Sequence, residues 1–218
     1  MRHFDEFQIR LLNRVKIDRL LTVILLFSIS LASISQTAQD PAKAIRDLKE
    51  GYLMVRFPAF KSKIDTLNSM LVKAEGKSKS RLTLLRDEAV YERDTVRLDY
   101  ISAFKNYYDF SDVVYFYDNE SKNLQTAHYY NLDDKEISIR EISNKPLFYL
   151  VFERTQDSKI DAIVIYDREM KQVPPPFPNN FTRGGFNFLF IKASEKSFPE
   201  WRVKKINKKF NKFWSQVN

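Results

Sequence analysis

Two short apolar runs, "GYLMVRFP" at residues 51–58 and "DVVYFYD" at 112–118, flank 53 residues whose apolar positions recur with a helical period. Strand-forming runs joined through a long helical segment call for a sheet with helices packed against it. In the first run Tyr52, Val55 and Phe57 favour extended backbone. Pro58 cannot donate to a sheet ladder, so the strand is expected to end there. The second run is apolar without alternation at its centre, which predicts burial on both faces.

Between these strands Phe60, Ile64, Leu67, Leu71 and Ala74 repeat at spacings of 4, 3, 4 and 3, lining one helix face. Gly76 is placed to cap that helix at its C-terminus. Beyond the basic turn "KSKSR", a second stripe runs through Leu82, Leu85, Ala89, Val96, Tyr100, Ala103 and Tyr107, interrupted by Arg93. The spacing predicts a helical hairpin whose second arm runs about 28 residues, either unbroken or broken partway. Such a hairpin either packs on the sheet or protrudes from it as a platform for a partner.

Further along, residues 123–144 have no clean period, although "EISIREI" alternates like a short edge strand. "PLFYLVFER" (146–154) and "KIDAIVIYD" (159–167) read as strands paired through the turn "TQDS". "VPPPFPNN" reads as a stiff loop, because each proline fixes its own backbone and restrains its neighbour. "FNFLFIK" reads as one more strand. The last element is the clearest: Ser197 and Glu200 fit a capping box, and Val203, Ile206, Phe210, Phe213 and Val217 form one apolar helix face. Lys204, Lys205, Lys208, Lys209 and Lys212 fill its other faces. The expected fold is α/β, with α+β as the alternative: a central mixed sheet of about 4–5 strands, a helical hairpin insertion and a C-terminal amphipathic helix. One domain is expected over residues 51–218, preceded by a lead-in segment at 36–50 that is helical from Pro41.

Ahead of that domain, Leu20–Ile34 carries 15 residues without a charge. A membrane-crossing helix needs roughly 20, whereas a secretory signal has an apolar core of about 7–15 residues behind a positive flank. Arg2, Arg10, Arg14, Lys16 and Arg19 outnumber Asp5, Glu6 and Asp18, and Ser33 and Ser35 supply small residues for a cut before Gln36. Residues 1–35 are therefore expected to be a signal peptide, with an uncleaved anchor at the inner membrane as the alternative. Either way the domain is expected to be exported to the periplasm or cell envelope.

The chain carries 36 Lys and Arg against 28 Asp and Glu, and no Cys. Thiol nucleophiles, thiolate metal sites and disulfides are excluded. A positive excess attracts anionic partners, but export removes nucleic acid from the expected ones. Only four glycines are present, Gly51, Gly76, Gly184 and Gly185, and none falls in the spacing of a phosphate loop, a dinucleotide fingerprint or a nucleophile elbow. His128 is the single histidine after the leader, so no metal site and no cofactor are expected. Asp133, Asp134 and Glu136 lack the pattern of a calcium loop and read as a solvated turn. Asp112, Asp118, Glu153, Asp161 and Asp167 stand at or near strand ends, where paired carboxylates could serve a glycosidase. No catalytic residue can be assigned among them. Candidate contacts to an anion or partner are Arg183, beside Gly184 and Gly185, and Lys204, Lys205, Lys208 and Lys209.

The order of strand, helices, strand, irregular segment, hairpin and C-terminal helix resembles the thioredoxin layout with an enlarged first crossover. Asn144, Lys145 and Pro146 precede the hairpin where that fold commonly carries a cis-proline. In place of the paired cysteines stands "PAFKSKID", so redox activity does not carry over, and "FNFLFIK" is an extra strand. Separately, "GYLMVRFP", "VVYFYD" and "IVIYDREMKQVPPPFP" are similar to stretches of uncharacterised exported proteins of Gram-negative bacteria. That resemblance implies export and no particular activity.

The sequence thus points to an exported, non-catalytic domain that binds an envelope partner or supports the envelope. One alternative is a hydrolase built on carboxylates or a serine in an arrangement that sequence does not display. Another is a binder of anionic or membrane surfaces through the basic C-terminal helix.

Overall fold

A computed structural model describes residues 39–154, 161–182 and 198–218. Asp40 begins the first helix, α1 (Pro41–Glu50), by accepting a hydrogen bond from the Ala42 N–H at 3.0 Å, with proline at the first helical position. Ala44, Ile45 and Leu48 on its inner face are fully buried, so the segment read as a lead-in belongs to the core. Burial of Ile45 and Leu48 contributes about 1.5–3 kcal/mol each, gross.

At Gly51 the chain turns into β1 (Tyr52–Phe57). A Cβ there would collide with the carbonyl oxygen of Pro146 and crowd that of Asp47. The close approach lets the Tyr52 N–H reach the Pro146 carbonyl at 2.9 Å, tying the starts of two strands together.

β1 is central. It runs parallel to β2 (Asp112–Tyr117) on one side and to β5 (Leu147–Arg154) on the other, with Val55 opposite both Tyr115 and Leu150. β6 (Asp161–Tyr166) and β7 (Asn180–Thr182) extend the sheet antiparallel beyond β5, and β3 (Tyr129–Asn131) and β4 (Glu136–Ile137) extend it antiparallel beyond β2. The order is β4-β3-β2-β1-β5-β6-β7. The mixed sheet of an α/β fold is present, with seven strands among the described residues because three short ones join the four long ones. The alternating run at 136–142 forms only the two residues of β4 before Ser138 caps a short helix, α4 (Ile139–Ser143). The likeness to the thioredoxin layout is one of element order, and the cis bond lies between Pro175 and Pro176 rather than before Pro146.

The period of two in each strand sorts side chains into two layers. Leu53, Val55, Phe57, Tyr115, Phe148, Leu150, Ile163 and Ile165 face α1, the C-terminal third of the long helix α3 (Gly76–Tyr107), and α5 (Phe198–Val217). Met54, Val114, Phe116, Leu147, Tyr149 and Val151 face the other way, under Ile142 of α4 and Tyr129 of β3. α5 fits its sequence pattern: Val203, Ile206, Phe210 and Phe213 are buried and Val217 packs beside them. The proline-rich loop is structural as well, since it lowers Phe177 onto the rings of Phe148, Phe210 and Phe213 at 6.1, 5.8 and 6.3 Å.

Candidate functional site

α2 (Lys61–Leu71) and α3 form the helical hairpin. α3 is unbroken for 32 residues, about 48 Å at 1.5 Å per residue. Gly76 opens this helix in a left-handed conformation (φ +52°) instead of closing the one before it; α2 ends at Leu71. Only the C-terminal part of α3 reaches the core, through Tyr100, Ile101, Ala103 and Phe104. The helix packs against α2 as well as α5, and in its N-terminal half Ala89 is the one fully buried residue. α2 has no buried residue at all. The hairpin therefore projects, and the stripe read from Phe60 to Ala74 is not a core face.

Two rows of α3 differ sharply. Leu82, Ala89, Val96 and Ala103 point inward, as their spacing predicts, whereas Leu85, expected in the same stripe, is exposed. Leu84, Tyr91 and Leu98, seven residues apart, lie on the opposite face and are 59%, 72% and 52% exposed. A seven-residue spacing keeps three side chains in one row on a helix. Glu88 sits between Leu84 and Tyr91, and Glu92 and Asp99 form a second row beside them. The arginines Arg86, Arg93 and Arg97 turn away, and two of them clasp the next residue: Arg86 meets Asp87 at 2.6 Å and Arg93 meets Asp94 at 2.8 Å. The Arg93 guanidinium holds the Asp94 carboxyl below its ordinary range. An apolar row edged by carboxylates results.

The root of the hairpin is fastened to the sheet edge. The Tyr115 hydroxyl donates to Asp134 in the β3–β4 turn, Arg97 reaches the same carboxylate at 3.4 Å, and Lys105 meets Asp133 at 2.8 Å. Burial and the bond to Asp134 both push the Tyr115 phenol well above its ordinary pKa. The acidic turn "LDDKE" is thus the anchor of α3. A cleft of about 430 Å³ lies beside this root, lined by Ala59, Lys61, Ile64, Arg93, Tyr117 and Glu120 among others. Its charges are taken up locally, Lys61 by Asp65 at 3.0 Å, Arg93 by Asp94, and Glu120 by the His128 N–H.

Of the contacts named from sequence, Arg183 lies outside the described residues, as do the leader, "TQDS", "FNFLFIK", Ser197 and the side chain of Asp161. Lys204 sits 3.8 Å over the Tyr107 ring and 3.6 Å from Glu200. Lys205 sits 4.6 Å over Trp201 and donates to the Thr182 carbonyl at 3.5 Å; burial, with Lys209 and Arg202 nearby, lowers its pKa. Lys209 sits 5.0 Å over Phe181, and Lys208 is exposed. Three of the four lysines therefore seal the edge of the core with their stems, and the apolar face of α5 is used inside the fold.

The strand-end carboxylates are spent on local partners: Asp112 on Lys145 (3.1 Å), Asp118 on the Ala59 N–H (2.9 Å), Glu153 on the Tyr166 hydroxyl (2.8 Å) and Asp167 on the Lys171 N–H (2.8 Å). His128 is exposed and meets Glu136 at 2.8 Å, which raises its pKa. Among the described residues no group of three or more His, Asp or Glu side chains is placed to hold a metal ion, and no helix is long and apolar enough to cross a membrane.

Sequence reasoning missed the outward row because it assigns each helix one apolar face. The signal was present: with Leu82, Ala89 and Val96 already accounting for the inner face, Leu84, Tyr91 and Leu98 had no partner in the same reading. No family model matches the chain, and no curated protein or solved structure matches it.

Proposed function

We propose that this chain is an exported, non-catalytic binding domain whose projecting hairpin is the docking platform for an envelope protein. One observation carries the reading. Among the described residues, six of the seven exposed large hydrophobic side chains, Met70, Val72, Leu84, Leu85, Tyr91 and Leu98, lie on the hairpin, and Met170 alone lies elsewhere. Apolar side chains concentrated on a projecting element mark an interaction surface. A row at seven-residue spacing suits a helical partner laid along α3. Glu88, Glu92 and Asp99 along the row favour one with basic flanks. Export rests on the apolar stretch 20–34 and its positive flank.

Photo-crosslinking in intact cells tests this. A crosslinker replacing Tyr91 is expected to yield a discrete protein adduct, weakened when Glu88, Glu92 and Asp99 become Lys, while one replacing Met170 yields none. Equal labelling patterns at 91 and 170 would remove the hairpin as the platform.

A further inference from the structure

We propose that the tip of the hairpin, residues 70–81, is a docking site for the surface of an anionic lipid bilayer. At the tip Met70 and Val72 are 51% and 84% exposed. Around them Lys73, Lys77, Lys79 and Arg81 are all exposed, against the single carboxylate of Glu75. None of the four cations makes an ion pair among the described residues. Elsewhere on the surface Lys43, Lys61, Lys105, Lys145 and Lys171 each meet a carboxylate within 3.7 Å. Lys63, Lys122, Lys135 and Lys208 also lack an ion pair among the described residues, but the tip gathers four such cations within nine residues around one carboxylate, at the far end of an element whose base is fixed by Asp133 and Asp134.

The chemistry that fits is phosphate and hydrocarbon together. A bilayer presents anionic headgroups at the depth reached by lysine and arginine ends, and an acyl boundary just below for two apolar side chains. Long cationic side chains can keep their ends at the headgroups while the apolar pair enters deeper. Met70 and Lys73 also border an open groove of about 780 Å³ along α2 that Asn119 and Lys122 line as well, and Val72, 84% exposed, is not among its lining residues. The C-terminal helix cannot supply this contact in the same way, because its apolar face is already buried. Met70 and Val72 then serve the bilayer, and Leu84, Leu85, Tyr91 and Leu98 of the shaft remain for the proposed protein partner.

The absence of cysteine gives a direct test on the full chain. Val72→Cys, labelled with an environment-sensitive dye, is mixed with vesicles of phosphatidylcholine alone or with added phosphatidylglycerol. The apolar stretch 20–34 and its positive flank are common to all samples and can themselves favour anionic vesicles, so the comparison that reports the tip is the native cations against their fourfold replacement. The expected result is a blue shift on phosphatidylglycerol vesicles, reversed by salt and absent on neutral ones. Neutralising one cation is expected to weaken the tip's affinity about fivefold, and Lys73→Gln, Lys77→Gln, Lys79→Gln and Arg81→Gln together to abolish the shift. The same dye at Ser102→Cys, on the shaft, should not respond. No shift on anionic vesicles, an equal shift on neutral ones, or a shift retained by the fourfold variant would overturn the proposal. So would a shift produced only by lipid-free acidic protein, an outcome that leaves the Tyr91 crosslinking result untouched.

Discussion

Gly51 shows how one position can couple local sequence to topology. Its backbone angles, φ −104° and ψ −154°, are open to other residues, so the constraint is contact with Pro146 rather than conformation. Gly51→Ala must push the starts of β1 and β5 apart, and a loss of about 1–3 kcal/mol of stability is expected, measured by urea unfolding. Phe210 is the corresponding packing centre, with Phe110, Phe177 and Phe181 around it at 5.4, 5.8 and 5.9 Å. Phe210→Ala is expected to cost about 3–5 kcal/mol in the same measurement. His128 carries a pH dependence of known sign. Glu136 and Glu120 raise its folded pKa, so its small stabilising contribution is present below the unfolded value and fades as pH rises through the folded one. An NMR titration should place His128 above the ordinary histidine value of about 6.5, with Glu136→Gln bringing it down. The first two residues were visible in the sequence only as a glycine before a strand and a member of a stripe. Their contacts at Pro146 and Phe177 come from segments far along the chain that carry no periodic signal.

At the scale of elements, legibility followed local periodicity. α5 announces itself by its repeat of 3.6 and the four long strands by short runs of strand-forming apolar residues between turn residues, signals that survive without knowledge of the neighbours. β3, β4 and β7 are two or three residues long and exist only through pairing, β3 with β2, β4 with β3 and β7 with β6. Asp133 and Asp134 read as a solvated turn, although Lys105, Arg97 and Tyr115 make that turn the fastening of α3. The hairpin is the informative failure. Its inner row was legible, and its outer row was absorbed into the charged flank. Because Leu84, Tyr91 and Leu98 are each more than half exposed, replacing all three with Ser is expected to change unfolding free energy by less than about 0.5 kcal/mol per site. The same variant should lose its crosslinked partner. A large loss of stability would mean that the row packs within the chain.

For the molecule as a whole, charge and apolarity are distributed by element rather than spread evenly. The sheet and its helices enclose their apolar residues, and the lysines of α5 lie across the rim of that core. The hairpin inverts the pattern, with apolar side chains outside, carboxylates along the shaft and cations at the tip. Among the described residues, six of the seven exposed large apolar side chains sit on one projecting element, and the proposed docking role rests on that concentration. Cysteine accessibility measures this most directly, because the chain has no thiol of its own. Tyr91→Cys and Met170→Cys are compared for maleimide reactivity in purified protein and in intact cells made permeable to the reagent. The expected result is equal reactivity of both in isolation and selective protection of position 91 in the cell. Equal reactivity of the two positions in both settings would contradict the hairpin's role as the docking platform.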